Sequence, residues 1–256
     1  MAEPVLYEKR ESIVVITINQ PEKRNALSAA VRQGLRDAFQ RFEDDDTASV
    51  AILTATGDKA FCAGMDLKEA AARNLKIPPK GAGGVPVIGE DVMVSKPTIA
   101  AVNGVALAGG WLIAQMCDLC VAAEEALFGI TEARVGRGTP WAAPLIHMLP
   151  QRVVMELLLT GQPLSAPRLY ELGYVNRVVP RARLMEEALA LASTIAANAP
   201  LTVRACRELV YLSTDMGRSA AVRAADRLFA PVYLSEDAQE GPKAFSEKRA
   251  PVWKGR

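Results

Sequence analysis

Residues 98–123 read TIAAVNGVALAGGWLIAQMCDLCVAA, and the fold is decided here. Thr98-Ile99-Ala100-Ala101-Val102 is an apolar run of the length of a buried strand. Asn103-Gly104 marks a turn. Ala108-Gly109-Gly110 then opens a helix running to about Met116, and Leu119-Cys120-Val121-Ala122-Ala123 is a strand again. Strand, glycine turn, helix, strand is the repeating unit of an α/β domain whose strands are largely parallel and buried.

The same order is found upstream. Ser12 to Ile18 is a β-branched strand stopped by Asn19-Gln20-Pro21. Ser28 reads as an N-cap, with Val31, Leu35, Ala38, Phe39 and Phe42 following at helical spacing. Val50 to Thr54 is a buried strand, Gly57 turns the chain, and Cys62-Ala63-Gly64 leads towards a helix near Leu67. Residues 73 to 90 carry Pro78, Pro79, Pro86, Gly81, Gly83, Gly84 and Gly89 and read as a loop. From about Thr139 the pattern is mostly helical, with one more short strand within Tyr174 to Val179. The reading predicts an α/β core over residues 1–197 and a helical region over 198–256. Such an appendage is more often packing or an oligomer contact than a functional module.

Composition bounds the function. A chain of 256 residues, half of them apolar, suits one large domain and buries about three quarters of its unfolded surface. It needs no disulfide or metal to fold. Thirty basic against 29 acidic residues leave a net charge of +1, so no basic stripe for nucleic acid is expected. Half apolar composition and a mean hydropathy of +0.10 argue against disorder. No run of eighteen apolar residues and no secretory signal in MAEPVLYEKRES are visible, so neither a membrane partner nor export is expected. Cys62, Cys117, Cys120 and Cys206 do not form a disulfide framework, which points to a reducing, cytoplasmic setting. Cys117 and Cys120 make a C-x-x-C, but it lacks a second ligand pair, and His147 is the single histidine. The pair reads as two small thiols beside a buried strand.

The turns at Ala63-Gly64 and Gly109-Gly110 both precede helix starts. Amides there are unpaired and carry partial positive charge, so two such turns aimed at one point form an oxyanion hole. Such turns are also ordinary in α/β proteins, and on their own they identify no activity. There is no G-x-G-x-x-G fingerprint, phosphate loop, G-x-S-x-G elbow or metal-ligand cluster. The acid–base candidates that remain are carboxylates.

Several segments, taken in order, resemble the motifs of one family. They are Asn19-Gln20-Pro21-Glu22-Lys23-Arg24-Asn25-Ala26-Leu27, Ala60-Phe61-Cys62-Ala63-Gly64-Met65-Asp66-Leu67-Lys68-Glu69 and Asn103 to Gly110 with Cys117-Asp118. Phe128-Gly129-Ile130-Thr131-Glu132, Leu159-Thr160-Gly161, Gly173 to Val179 and Ala244 to Arg249 complete the set. Together they resemble the enoyl-CoA hydratase/isomerase (crotonase) superfamily over nearly the whole chain. The resemblance implies a crotonase-like spiral of ββα units with a helical C-terminal trimerisation region, in a homotrimer or homohexamer. It implies an acyl-CoA thioester substrate, with coenzyme A entering as part of the substrate and no separate cofactor. The oxyanion amides would be those of Ala63 and Gly109. Lys23, Arg24 and the segment Ala63, Gly64, Met65, Asp66, Leu67, Lys68 would contact CoA, and Phe245 and Lys248 would complete its site from the same or a neighbouring subunit. Glu132 would be the acid/base.

One departure matters. The family's hydratases use two glutamates, and the first of these positions falls on Leu112. The glycine-rich stretch after the third motif is also altered, to Gly136-Arg137-Gly138-Thr139-Pro140-Trp141. Hydration must hold and deprotonate a water and also protonate the α-carbon, a task suited to two carboxylates. One carboxylate suffices to shift a double bond. Isomerase-type proton transfer is therefore favoured over hydration. Trp111, Leu112 and Trp141 would form an apolar acyl pocket that raises the Glu132 pKa. Thioester hydrolysis, dehalogenation, decarboxylation and silent acyl-CoA binding stay open. Asp118 reads as structural, and Glu124 and Glu125 as a solvated turn.

Overall fold

The computed structural model describes residues 3–65 and 84–256. Its first sheet contains β1 (Val5–Arg10), β2 (Ile13–Ile18), β3 (Val50–Ala55), β5 (Thr98–Val102), β7 (Leu119–Ala123) and β10 (Arg177–Val179), in the order β1-β2-β3-β5-β7-β10. The β1–β2 pair is antiparallel, and every other neighbouring pair in that sheet is parallel. A second sheet runs β4 (Ala60–Cys62), β6 (Val105–Leu107), β8 (Leu127–Gly129) and β9 (Leu164–Ser165). The strands β3/β4, β5/β6 and β7/β8 come in consecutive pairs, each placing one member in either sheet. With α1 (Ala29–Asp44) before the first pair and α2 (Gly109–Gln115) between the second and third, the chain winds as the expected spiral.

Strand alternation fills two cores. Ala51, Leu53, Ala100, Val102 and Ala122 point towards α1 and the second sheet, where Val31, Leu35, Phe39 and Phe42 pack. Val50, Ile52, Ile99, Ala101 and Val121 point the other way, against Leu184, Ala188 and Ala192 of α5 (Leu184–Ala196). Both faces of β3 and β5 are thus buried, which is why these strands are apolar throughout rather than alternating. Ser28 caps α1, accepting from the Val31 N–H.

The remaining helices are α3 (Gln151–Thr160), α4 (Ala166–Glu171), α6 (Pro200–Asp215), α7 (Arg218–Leu234) and α8 (Glu236–Ser246). Asp118 fastens α6 to the sheet. It accepts from the Thr98 N–H and hydroxyl, from Arg207 Nε at 2.8 Å and from the Tyr211 hydroxyl at 2.7 Å. That agrees with a structural role. No single helix among the described residues is long and apolar enough to cross a membrane. The helix expected near Leu67 and most of the loop expected over 73 to 90 lie outside the described residues; residues 84–90 carry no helix or strand.

Candidate active site

The two glycine turns meet. After β4 the chain passes Ala63 and reaches Gly64 at φ +92, a left-handed conformation that favours glycine. The Gly64 carbonyl accepts the Leu27 N–H at 2.8 Å, and Leu27 bridges Met65 in parallel. After β6, Ala108 takes φ 52 and ψ −122, a sparsely populated conformation. Its N–H donates to Gly129, and its carbonyl accepts from Trp111 and Leu112. This leaves the Gly109 amide at the helix start with no acceptor among the described residues. A β-carbon on Gly64 would lie 3.4 Å from the Gly109 nitrogen, and one on Gly109 would lie 3.8 Å from the Met65 nitrogen.

The structure corrects the expectation for Ala63. Its N–H donates to the Arg24 carbonyl at 3.0 Å, so it is occupied. The Gly64 N–H leans on Cys62 Sγ. The next amide along, that of Met65, has no acceptor among the described residues, and neither has that of Gly109. The pair of unengaged donors flanking the glycine contact is therefore Met65 and Gly109.

Glu132 opens a 3-10 turn, Glu132–Val135, three residues past the end of β8. Only 8% of it is exposed. Its Oε1 accepts the Trp141 Nε1–H at 3.1 Å, while its buried Oε2 has no partner among the described residues. Burial holds the carboxyl above its ordinary pKa; backbone amides and the Trp141 indole partly offset this. Trp141 lies on a second 3-10 segment, Pro140–His147, whose packing on α2 is fixed by Gln115. Gln115 Nε2 donates to the Trp141 carbonyl at 2.9 Å. Leu112, buried, stands one turn before Gln115 on the same face of α2.

Trp111 does not join that wall. It is fully buried, its indole N–H donates to the Tyr174 hydroxyl at 2.6 Å, and its ring packs edge-on against Phe128 and Tyr174. Neighbouring positions on a helix point about 100° apart, so with Leu112 turned one way Trp111 faces the core. Lys23 and Arg24 are exposed on and just after a 3-10 turn, Pro21–Lys23, and Arg24 holds a left-handed conformation at φ 52. Phe245, 87% exposed, lies in the last turn of α8, and Lys248 follows at φ 54. Asp66, Leu67 and Lys68 lie outside the described residues. Cys117 and Cys120 are buried free thiols with raised pKa, Cys120 to about 12, which is unsuited to redox exchange. Glu124 and Glu125 are exposed.

Three contributors were not singled out from the sequence: the Met65 amide, Gln115 and Asn25. Asn25 is buried at φ 54. Its side chain accepts from the Gln20 N–H and donates to the Thr56 and Ala60 carbonyls, locking the loop over β4. A polar residue amid Arg24-Asn25-Ala26-Leu27 was the available signal for Asn25. Nothing local signals Gln115.

The sequence model of the enoyl-CoA hydratase/isomerase family matches residues 8–256. The chain is 39% identical over 262 residues to a carnitinyl-CoA dehydratase of Salmonella typhi and 37% over 263 residues to that of Proteus mirabilis, covering all of both chains in each case. Among solved structures, an enoyl-CoA hydratase from Mycobacterium tuberculosis H37Rv superimposes with a TM-score of 0.92 at 40% identity, over the full length of both chains. A probable enoyl-CoA hydratase/isomerase from Mycobacterium abscessus gives 0.89 at 41%, also full length.

Proposed function

The chain belongs to the enoyl-CoA hydratase/isomerase family of enzymes, and on that premise we propose that it moves a proton within an acyl-CoA thioester. The thioester oxygen lies between the amides of Gly109 and Met65, and Glu132 is the acid/base. The carrying observation is Glu132 itself. It is a buried carboxyl with one oxygen held by Trp141 and the other unpartnered among the described residues, and the family resemblance puts Leu112 where a second carboxylate would be.

For a 3-enoyl thioester the steps balance with no co-reactant. Glu132 takes a proton from C2, and the electron pair passes into the carbonyl as a dienolate whose oxygen the two amides stabilise. The same proton returns at C4 as the double bond shifts. Each amide contributes about 3 kcal/mol to such a charge. A raised carboxyl pKa suits this work, because the base must hold the proton long enough to return it. Lys23, Arg24 and Lys68 contact the CoA phosphates. Residues 198–256 form the contact of a homotrimer or homohexamer, in which Phe245 and Lys248 complete the CoA site. In support, α7 buries no residue of its own in the single chain and exposes Val222, Tyr233 and Leu234.

A second reading is reversible dehydration of a 3-hydroxyacyl thioester, favoured by the dehydratase and hydratase relatives. The deciding assay offers purified protein crotonyl-CoA and trans-3-hexenoyl-CoA. Isomerisation of the second, with slow hydration of the first, is expected. Glu132→Gln should lower isomerisation by roughly 10²- to 10⁴-fold. Rapid hydration of crotonyl-CoA, undiminished in Glu132→Gln, overturns the proposal.

A further inference from the structure

Glu132 is not held by its own turn alone. Its Oε1 accepts from the Trp141 indole, and the Trp141 carbonyl accepts from Gln115 Nε2. Gln115 is the last residue of α2, and Gly109 is its first. The rise over those six steps is about 9 Å. One short helix therefore presents an unpaired amide at one end and, through two hydrogen bonds, secures the carboxyl from the other. Gln115 is only 6% exposed, so its amide is not a solvated group that met Trp141 by chance. Its orientation is fixed by chemistry: only the NH₂ end can face a carbonyl oxygen.

We propose that Gln115 is a positioning residue which, acting through Trp141, sets the place of the Glu132 carboxyl relative to the Gly109 amide and leaves Oε2 as the oxygen that carries the proton. The inference rests on the reading of Glu132 as acid/base. The donor held against Oε1 makes the two oxygens inequivalent: one is anchored, the other has no partner among the described residues. The charged or titratable side chains on the same turn and on the elements around it are Arg134, Arg137, His147, Arg152 and Glu156. None of them is among the causes of the Glu132 shift, so the indole is the side-chain group that tunes it.

Two variants test this: Trp141→Phe, which removes the donor, and Gln115→Met, which keeps the length and removes the amide. The first readout needs no turnover. In [¹⁵N]tryptophan-labelled wild-type protein one of the three indole N–H signals should titrate, and should be the one lost in Trp141→Phe and frozen in Glu132→Gln. Site-labelled Glu132 should titrate higher by roughly one pH unit in Trp141→Phe, since a donor to the charged oxygen is gone. Gln115→Met should shift it the same way by a smaller amount, with the double variant no further than Trp141→Phe alone. In turnover of trans-3-hexenoyl-CoA, kcat should fall roughly tenfold or more in each while KM stays within about twofold, because positioning acts on the reacting step.

A Trp141 indole signal that ignores pH in the wild-type protein overturns the proposal, as does a Gln115→Met protein whose Glu132 titration and kcat are unchanged. If the titrations move as expected but no thioester is turned over, the positioning chain stands and the assigned reaction falls.

Discussion

Gly110 is the residue at which the two turns are pressed together, and replacing it by alanine tests the whole construction. The new β-carbon would lie 2.0 Å from the Cys62 carbonyl oxygen and 2.8 Å from its carbon. Contacts below 3.0 Å force a shift, and here both atoms are backbone, so no side chain can swing aside. The end of β4 and the start of α2 must part by roughly 1 Å to restore an ordinary contact. Overpacking of this kind costs about 1–3 kcal/mol, and the better helix propensity of alanine returns at most about 1. The melting temperature should fall by roughly 2–6 °C. Activity should suffer far more, because a displacement of about 1 Å between groups that share a reacting centre costs about 10²-fold. The assay is exchange of the α-protons of butyryl-CoA in D₂O, followed by NMR alongside calorimetry. Gly138→Ala is the control, since its β-carbon would meet nothing closer than Pro140 Cδ at 3.9 Å. A Gly110→Ala enzyme exchanging at the wild-type rate with an undiminished melting temperature would refute the claim that the two turns form one site.

Three further outcomes are expected. Burial raises the folded-state pKa of Glu132, so between the unfolded and folded values the native state keeps a proton that the unfolded chain releases. That stability is fully present below the unfolded pKa and is lost as pH rises through the folded one. Glu132→Gln should therefore match the wild type in urea midpoint near about pH 4 and exceed it near about pH 8; a constant difference across that range would exclude burial as the cause. Replacing the Met65 amide by an ester through semisynthesis should lower α-proton exchange by roughly 10²- to 10³-fold. The same change at Ala63 breaks the bond to Arg24 and should cost about 1 kcal/mol of stability with little effect on exchange, and the reverse pattern would restore Ala63 as the donor. Tyr174→Phe strips the buried Trp111 indole of its acceptor and should destabilise the fold by about 1–3 kcal/mol in chemical denaturation without altering the pH dependence of exchange.

Five of the six strands of the main sheet were readable from their apolar runs, as at Ile13–Ile18 and Val50–Ala55; the mostly polar, exposed β1 was not. The second sheet was not. Ala60–Cys62, Val105–Leu107 and Leu127–Gly129 are three residues each, too short for any period to show. They are strands because they lie beside one another, a fact of tertiary structure. Glu132 was visible through its motif, and its raised pKa follows from burial. Of the two amides expected to be free, that of Ala63 is taken. Whether an amide is vacant depends on what stands opposite, and Arg24 reaches Ala63 from 39 positions away in the chain. Trp111 was misplaced because its partners Phe128 and Tyr174 come from other elements, and Gln115 went unnoticed for the same reason.

The bond from Ala63 to the Arg24 carbonyl has a mechanical consequence. Arg24 and Asn25 both sit in left-handed conformations, and Asn25 is stitched to Thr56 and Ala60, so the peptide that carries the exposed cations Lys23 and Arg24 is braced against β4. Two residues further on is the amide assigned to the thioester oxygen. On the proposed function, grip on the nucleotide handle and polarisation at the acyl end would thus belong to one stiff bracket. Binding energy gathered far from the reacting carbon would have a short route to it, one hydrogen bond and two peptide units, and a substrate clipped to pantetheine should lose velocity as well as affinity.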